Sequence, residues 1–274
     1  MAGKKAIMEM AKVKLKIREE KLLGRSAKTI YKENQSLLEE IRENLQQEIM
    51  VGIVHREDKS KKGNNIGINP DSLNNALRQT LKNIENIHLE TAVENGAFFE
   101  RKKKSNFDFS FYDRMLNYAK FWNYGRTKSN FQEMIQQSIT NEYKDSWNKF
   151  ICQYRPTQSE DIDIDKEDKT IVGEIQFGNW AMIYKDIFRL LRAKNSPNVM
   201  LYIYITDCGS LNTFLSSQIV KYDKALMEFE ENLDIIDLPI WIIGLDIDTY
   251  SENEFQNAYD KVVKQREKEN NRKA

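Results

Sequence analysis

The segment Thr170-Ile-Val-Gly-Glu-Ile-Gln-Phe177 reads as a β-strand that places two polar side chains, Glu174 and Gln176, on the same face of an apolar run. Before it, Asp161-Ile-Asp-Ile-Asp165 alternates strictly and residues 166–169 form a polar turn, so the two runs predict a β-hairpin over 161–177. After it, residues 180–194 carry Ile183, Ile187, Leu190 and Leu191 at helical spacing, and Asn195-Ser-Pro-Asn198 stops them. Val199-Met-Leu-Tyr-Ile-Tyr-Ile-Thr206 reads as a buried strand, residues 214–233 as a helix, and residues 239–245 as a second buried strand. A highly charged helix follows from Glu252. Strands alternating with crossover helices give an α/β sandwich with a mixed central sheet.

Upstream, the pattern is different. Ile7, Met10, Val13, Leu15 and Ile17 lie among Lys, Arg and Glu, and Leu38, Ile41, Leu45 and Ile49 follow at three- and four-residue spacing. Both read as helix. Residues 56–70 form a polar connection, and Asp71-Ser72 offers an N-cap for a helix over 72–95. The expected organisation is therefore a helical N-terminal region over 1–95 and a core over 96–274.

Composition narrows the function classes. Lys plus Arg and Asp plus Glu both number 42, so net charge gives no argument for a nucleic-acid partner. Cys152 and Cys208 lack metal-ligand spacing and read as ordinary thiols of a reduced, cytoplasmic protein. No stretch approaches an apolar membrane span. His55 and His88 are too few for a histidine-rich metal centre, so acid–base or metal chemistry would rest on carboxylates. Between residues 98 and 147 aromatics (Phe107, Phe109, Phe111, Tyr112, Tyr118, Phe121, Trp122, Tyr124) interleave with basic residues, including Lys102, Lys103 and Lys104. Such a segment either contacts nucleic acid through phosphates and stacking or is a solvated basic loop beside core aromatics.

The hairpin is where chemistry concentrates. Alternation places Asp161, Asp163 and Asp165 on one face of the first strand; a turn near Asp168 sets Asp163 opposite Glu174. Carboxylates gathered this closely need a compensating cation or protons. Magnesium takes one or two carboxylates and a carbonyl, and such a site suits phosphodiester hydrolysis. An exposed acidic hairpin is the competing reading.

The chain here resembles the BglII and BstYI group of type II restriction endonucleases, within the PD-(D/E)XK nuclease fold. The resemblance rests on Asp163-Ile-Asp165, Val172-Gly-Glu-Ile-Gln-Phe-Gly-Asn-Trp180, the strand ending Tyr204-Ile-Thr206, the pair Ser216-Ser217, and Leu238-Pro-Ile-Trp-Ile-Ile-Gly-Leu245. It implies a restriction-endonuclease-like αβα sandwich. It also implies a homodimer that hydrolyses a short palindrome in double-stranded DNA with magnesium. Carried over, Asp165, nine residues before Glu174, would hold the metal with it; Asp163 takes that role if the register differs. The Ile175 carbonyl would complete the shell, and Gln176 would position the attacking water. Asn179 matches a base-contacting Asn of the family, and an Asn can bond adenine at two edge positions. Gly178 departs from a serine. Ser216 and Ser217 lie near a family Asn-Ser-Ser element whose Asn is missing here, and Ser216 reads equally as a helix cap. The segment 180–194 offers a dimer helix or a core helix. A DNA-binding protein that keeps the fold without hydrolysis is the alternative from another class, and a coiled-coil partner protein lacks the sustained heptads it would need.

Overall fold

Three parallel strands, β7 (Thr170–Ile175), β8 (Val199–Asp207) and β9 (Ile240–Tyr250), form the centre of the molecule. Their alternation is sorted by face. Ile171, Leu201, Ile203, Ile205, Ile243 and Leu245 enter one apolar cluster, whereas Val172, Tyr202, Tyr204, Ile240 and Ile242 enter another. A strand buried on both faces reads as a nearly continuous apolar run, which is why these segments were legible. The computed structural model describes residues 7–56, 65–100, 106–164, 170–194 and 199–271.

Around this centre the described strands make one sheet in the order β3-β2-β1-β9-β8-β7-β6-β4-β5. Here β1 is Glu9–Leu23, β2 Glu48–His55, β3 Ile66–Ile68, β4 Ile87–Glu94, β5 Ala97–Glu100 and β6 Phe107–Phe111. All pairings outside the central three are antiparallel. Helices α1 (Ala27–Glu33), α2 (Gln35–Leu45) and α3 (Pro70–Leu81) precede the second half of the sheet, and α4 (Arg114–Gly125), α5 (Phe131–Ser138) and α6 (Lys144–Tyr154) lie between β6 and β7. After β7 come α7 (Met182–Lys194), α8 (Tyr222–Glu231), α9 (Leu233–Ile236) and α10 (Glu252–Asn271). Leu38, Ile41 and Leu45 of α2, Leu73, Leu77 and Leu81 of α3, and Phe255 of α10 cover one face of the sheet. On the other face lie Ile183, Ile187 and Leu190 of α7 with Ala225 and Phe229 of α8. Each large aliphatic side chain buried there contributes about 1.5–3 kcal/mol. The layers are helix, mixed sheet, helix.

Two expectations are corrected. The helical N-terminal region over 1–95 contains α1–α3, but its first described element is a strand. Ala11, Val13 and Leu15 are buried while Lys12, Lys14 and Lys16 are exposed, a period of two that outcompetes the helical spacing. That strand lies between β2 and β9, so the N-terminal strands belong to the same sheet as the core. The helix expected over 72–95 likewise ends at Leu81, and β4 follows.

The second correction concerns the hairpin over 161–177. Residues 161–164 form no strand, and the antiparallel partner of β7 is β6, with Phe109 opposite Gly173 and Phe111 opposite Ile171. The Asp-Ile alternation is nevertheless real: Asp161 and Asp163 are exposed, while Ile162 and Ile164 pack against the aromatic cluster of α4–α6. The Asn123 side chain on α4 takes the place of a neighbouring strand. Its Nδ2 donates to Ile162 O at 2.9 Å, and Ile162 N donates to its Oδ1 at 2.8 Å. Arg126 pairs with Asp161 at 2.5 Å.

Most aromatics of the interleaved segment are core. Phe107, Phe109, Tyr112, Tyr118 and Phe121 are buried, which supports the core reading for them, whereas Lys102, Lys103 and Lys104 lie outside the described residues. Both cysteines are free thiols. No helix among the described residues is long and apolar enough to cross a membrane.

Candidate active site

Glu174 occupies the last turn of alternation on β7, and Gln176 follows just past its end. Gln176 N donates to Ile205 O of β8 at 2.8 Å, so the backbone stays strand-like through this point. Both side chains are buried. They face α7, because even-numbered positions of β7 and β8 point into that layer. One turn of α7 supplies two partners at i and i+3, Asp186 and Arg189. Arg189 Nη1 donates to Glu174 Oε2 at 2.5 Å, and its Nη2 lies 3.5 Å from Asp186 Oδ1. Gln176 Nε2 donates to Asp186 Oδ2 at 3.1 Å, while its Oε1 accepts from Gly178 N at 2.9 Å. The amide is therefore held at both ends, which fixes its orientation.

A third carboxylate comes from β6. Asp108 Oδ2 accepts from Ile175 N at 2.8 Å, and its Oδ1 accepts from Arg78 Nη1 of α3 at 3.2 Å. Continuing the β6–β7 register one step beyond Phe109 and Gly173 sets Asp108 opposite Glu174. A side chain at Gly173 would collide with the Phe109 ring, so this glycine lets the two strands approach.

Electrostatics mark the cluster. Burial, reinforced by Asp108 and Asp186, pushes the Glu174 carboxyl well above the usual carboxylate range, and Arg189 offsets only part of this. Burial also raises Asp108 despite its bond from Ile175 N and the Arg78 charge. Asp186 is pushed up to about 6 by burial, against the Gln176 hydrogen bond and Arg189. Two buried carboxylates, Glu174 and Asp186, share the Arg189 guanidinium, and the part-buried Asp108 beside them is paired with Arg78; ionising all three in so little water is costly and favours further positive charge. Such clusters concentrate at functional sites.

The loop after Gln176 meets the loop after β8. Asn179 and Ile219 form an isolated antiparallel bridge, and Trp180 N donates to Gln218 O at 2.8 Å. Thr206 Oγ1 ties the two loops to the sheet: its one proton has Val220 O at 2.6 Å and Gln176 O at 3.1 Å as acceptors. The structure thus brings Gly178, Asn179, Ser216 and Ser217 to one end of the parallel strands, beside Gln176. Asn179, Ser216 and Ser217 are exposed there. Asn179 Oδ1 accepts from Ala181 N at 2.9 Å. Ser216 does not cap α8, which starts at Tyr222; its Oγ accepts from Gln218 N at 3.3 Å. Ligand sites of open α/β sheets lie at such carboxyl ends.

Of the other residues read from the sequence, Asp165 lies outside the described residues. Asp163 is exposed on a segment whose isoleucines pack with α4–α6. His55 bonds Tyr259 and His88 bonds Glu100, both away from this cluster. Sequence reasoning missed Asp108, Asp186 and Arg189. Among the described residues, no three or more His, Cys, Asp or Glu side chains form a ready-made metal cage.

The family described as restriction endonuclease BglII/BglIII matches residues 22–245, and the chain belongs to that family. It is accordingly a restriction endonuclease, a type II site-specific deoxyribonuclease. Among solved structures it is similar to that of restriction endonuclease BglII complexed with a DNA 16-mer. The identity is 16%, over 86% of this chain and 80% of that one, and the TM-score is 0.47. No curated protein matches the chain.

Proposed function

We propose that this restriction endonuclease hydrolyses both strands of a short palindromic DNA site, as a homodimer and with magnesium. The observation that carries the reading is the buried Glu174–Arg189–Asp186–Gln176 cluster, with Asp108 beside it, at the same end of the sheet as the exposed 178–180 and 216–219 loops.

The donor set fits a hard cation. Glu174 and Asp108 are oxygen donors whose carboxyls burial raises, Glu174 further by the Asp108 charge, and a divalent ion offsets that cost. In this reading Glu174 and Asp108 hold magnesium with the Ile175 carbonyl, although the family spacing names Asp165 for the place we give Asp108. Bound magnesium would polarise the scissile phosphate and lower the pKa of a water. Gln176, a neutral amide, takes no proton. With one Oε1 lone pair on Gly178 N and one N–H on Asp186, it keeps a second acceptor position and a second donor to orient that water. Asn179, Ser216 and Ser217 read base edges in the major groove, Gly178 lets the backbone approach the DNA, and Lys102, Lys103 and Lys104 contribute phosphate contacts.

The partner surface has its own support. Trp180, Tyr184 and Phe188 recur every four residues and are exposed, Phe188 by 67%. Tyr184 and Phe188 lie on the outer side of α7, Trp180 just before it packs against Tyr184, and α9 with the exposed Ile235 adjoins the helix. A two-fold protein matches a two-fold site and supplies one active site per strand.

The test is incubation of unmethylated phage DNA with the purified protein, with magnesium or EDTA, beside Glu174→Ala. Discrete fragments that require both magnesium and Glu174 are expected. Retained sequence-specific binding without cleavage on any substrate would instead identify a DNA-binding protein on the same fold.

A further inference from the structure

One of the two carboxylate oxygens of Glu174 is already taken. Arg189 Nη1 sits 2.5 Å from Oε2, and the guanidinium lies over the Phe107 ring at 5.6 Å from its centroid. A second acceptor is waiting on the same helix. Asp186 Oδ1 is buried and has no hydrogen bond among the described residues, although Arg189 Nη2 is only 3.5 Å away. A buried carboxylate oxygen left without a donor is costly. A small swing of the guanidinium across the Phe107 face satisfies Oδ1 and frees Glu174.

We propose that Arg189 is a positioning residue that acts as the resident cation of the site: it holds Glu174 in the metal-free enzyme and transfers to Asp186 Oδ1 when a divalent ion takes Glu174. The inference rests on the metal reading of Glu174 given above. It gives Asp186 two tasks, fixing the Gln176 amide through Oδ2 and receiving Arg189 through Oδ1. Metal affinity then reflects competition between two cations for one carboxylate.

The experiment is calorimetric titration of calcium into the full-length, metal-free protein without DNA, using wild type, Arg189→Met, Arg189→Lys and Glu174→Ala. Removing a charge next to the ligand tightens binding in Arg189→Met by about tenfold or more, whereas Arg189→Lys, which keeps the charge, stays within about threefold of wild type. A folded Arg189→Met protein that binds calcium no more tightly than wild type overturns the proposal. Glu174→Ala should lose the binding; if it binds as wild type does, the metal reading itself fails and takes this inference with it. Should Arg189→Met not fold, a calcium-bound crystal structure of the wild type decides. Expected is an Arg189–Glu174 separation beyond about 4 Å, with Arg189 on Asp186 Oδ1 at hydrogen-bond distance. An unmoved Arg189 overturns the proposal.

Discussion

Gln176 is the residue whose role depends most on its neighbours. Its amide is held between Gly178 N and Asp186 Oδ2, so the side chain is oriented before any substrate arrives. Gln176→Ala should therefore lower the cleavage rate on the order of a hundredfold with a much smaller change in DNA affinity, since the placement of the attacking water is lost together with the bonds to Gly178 N and Asp186. Single-turnover cleavage beside a binding isotherm separates the two. Asp246 works differently, at a distance from the site. Burial raises its pKa, but bonds from Ser210 Oγ, Arg18, Leu211 N and Ile247 N outweigh that and hold it below the usual carboxylate value. A depressed carboxyl stabilises the fold above its unfolded pKa, and that stability is lost as pH falls through the folded value. Asp246→Asn should cost about 2–3 kcal/mol near neutral pH, shrinking toward zero in acid. Urea unfolding of both proteins at several pH values gives the comparison.

At the scale of elements, β7, β8, β9 and α7 were legible because each is an apolar run or stripe whose period fits one structure only. The Glu174–Gln176 pair was legible with them. Asp108, the carboxylate that the structure sets beside Glu174, was not, because two segments alternate with period two around an aspartate. Asp161-Ile-Asp-Ile-Asp165 carries the alternation and the nine-residue spacing to Glu174 that the family resemblance implies, whereas Phe107-Asp-Phe-Ser-Phe111 reads as an aromatic tract rather than as β6. Helices α4–α6 separate β6 from β7, and single-sequence patterns carry no signal for pairing across such an insertion. Two clues were present: the strict alternation of the phenylalanines, and Gly173 inside a strand, which marks close approach of another chain segment. Asp186 and Arg189 were hidden because a charged pair on a helix reads as solvated surface until the strand it faces is known. Asp108→Asn tests the strand assignment. It keeps an acceptor for Ile175 N but removes the charge, so cleavage should fall on the order of a thousandfold while Asp165→Asn leaves it near wild type. The opposite ranking would return the role to Asp165.

The whole molecule joins these parts through α7. Its inner face packs Ile183, Ile187 and Leu190 on the sheet, its flank carries Asp186 and Arg189 to Glu174 of β7, and its outer face exposes Tyr184 and Phe188. One helix thus touches the core, the candidate active site and the proposed partner surface. An isolated exposed aromatic needs no explanation, but an aromatic stripe running down a helix beside the site has the character of an interface core. Phe188→Asp places a charge in the middle of that stripe without touching Glu174, Gln176 or the inner core. Desolvating an unpaired carboxylate at a two-fold contact, where it is present twice, should weaken self-association by more than about a hundredfold. Sedimentation equilibrium should then show a dimer for wild type and a monomer for Phe188→Asp, both with the same helix content by circular dichroism. Because each monomer carries one active site, the variant should nick a plasmid site in one strand at high enzyme concentration and lose concerted double-strand cleavage. A variant that remains dimeric would move the interface off α7, and one that is monomeric yet cuts both strands in a single event would show that pairing is not needed for cleavage.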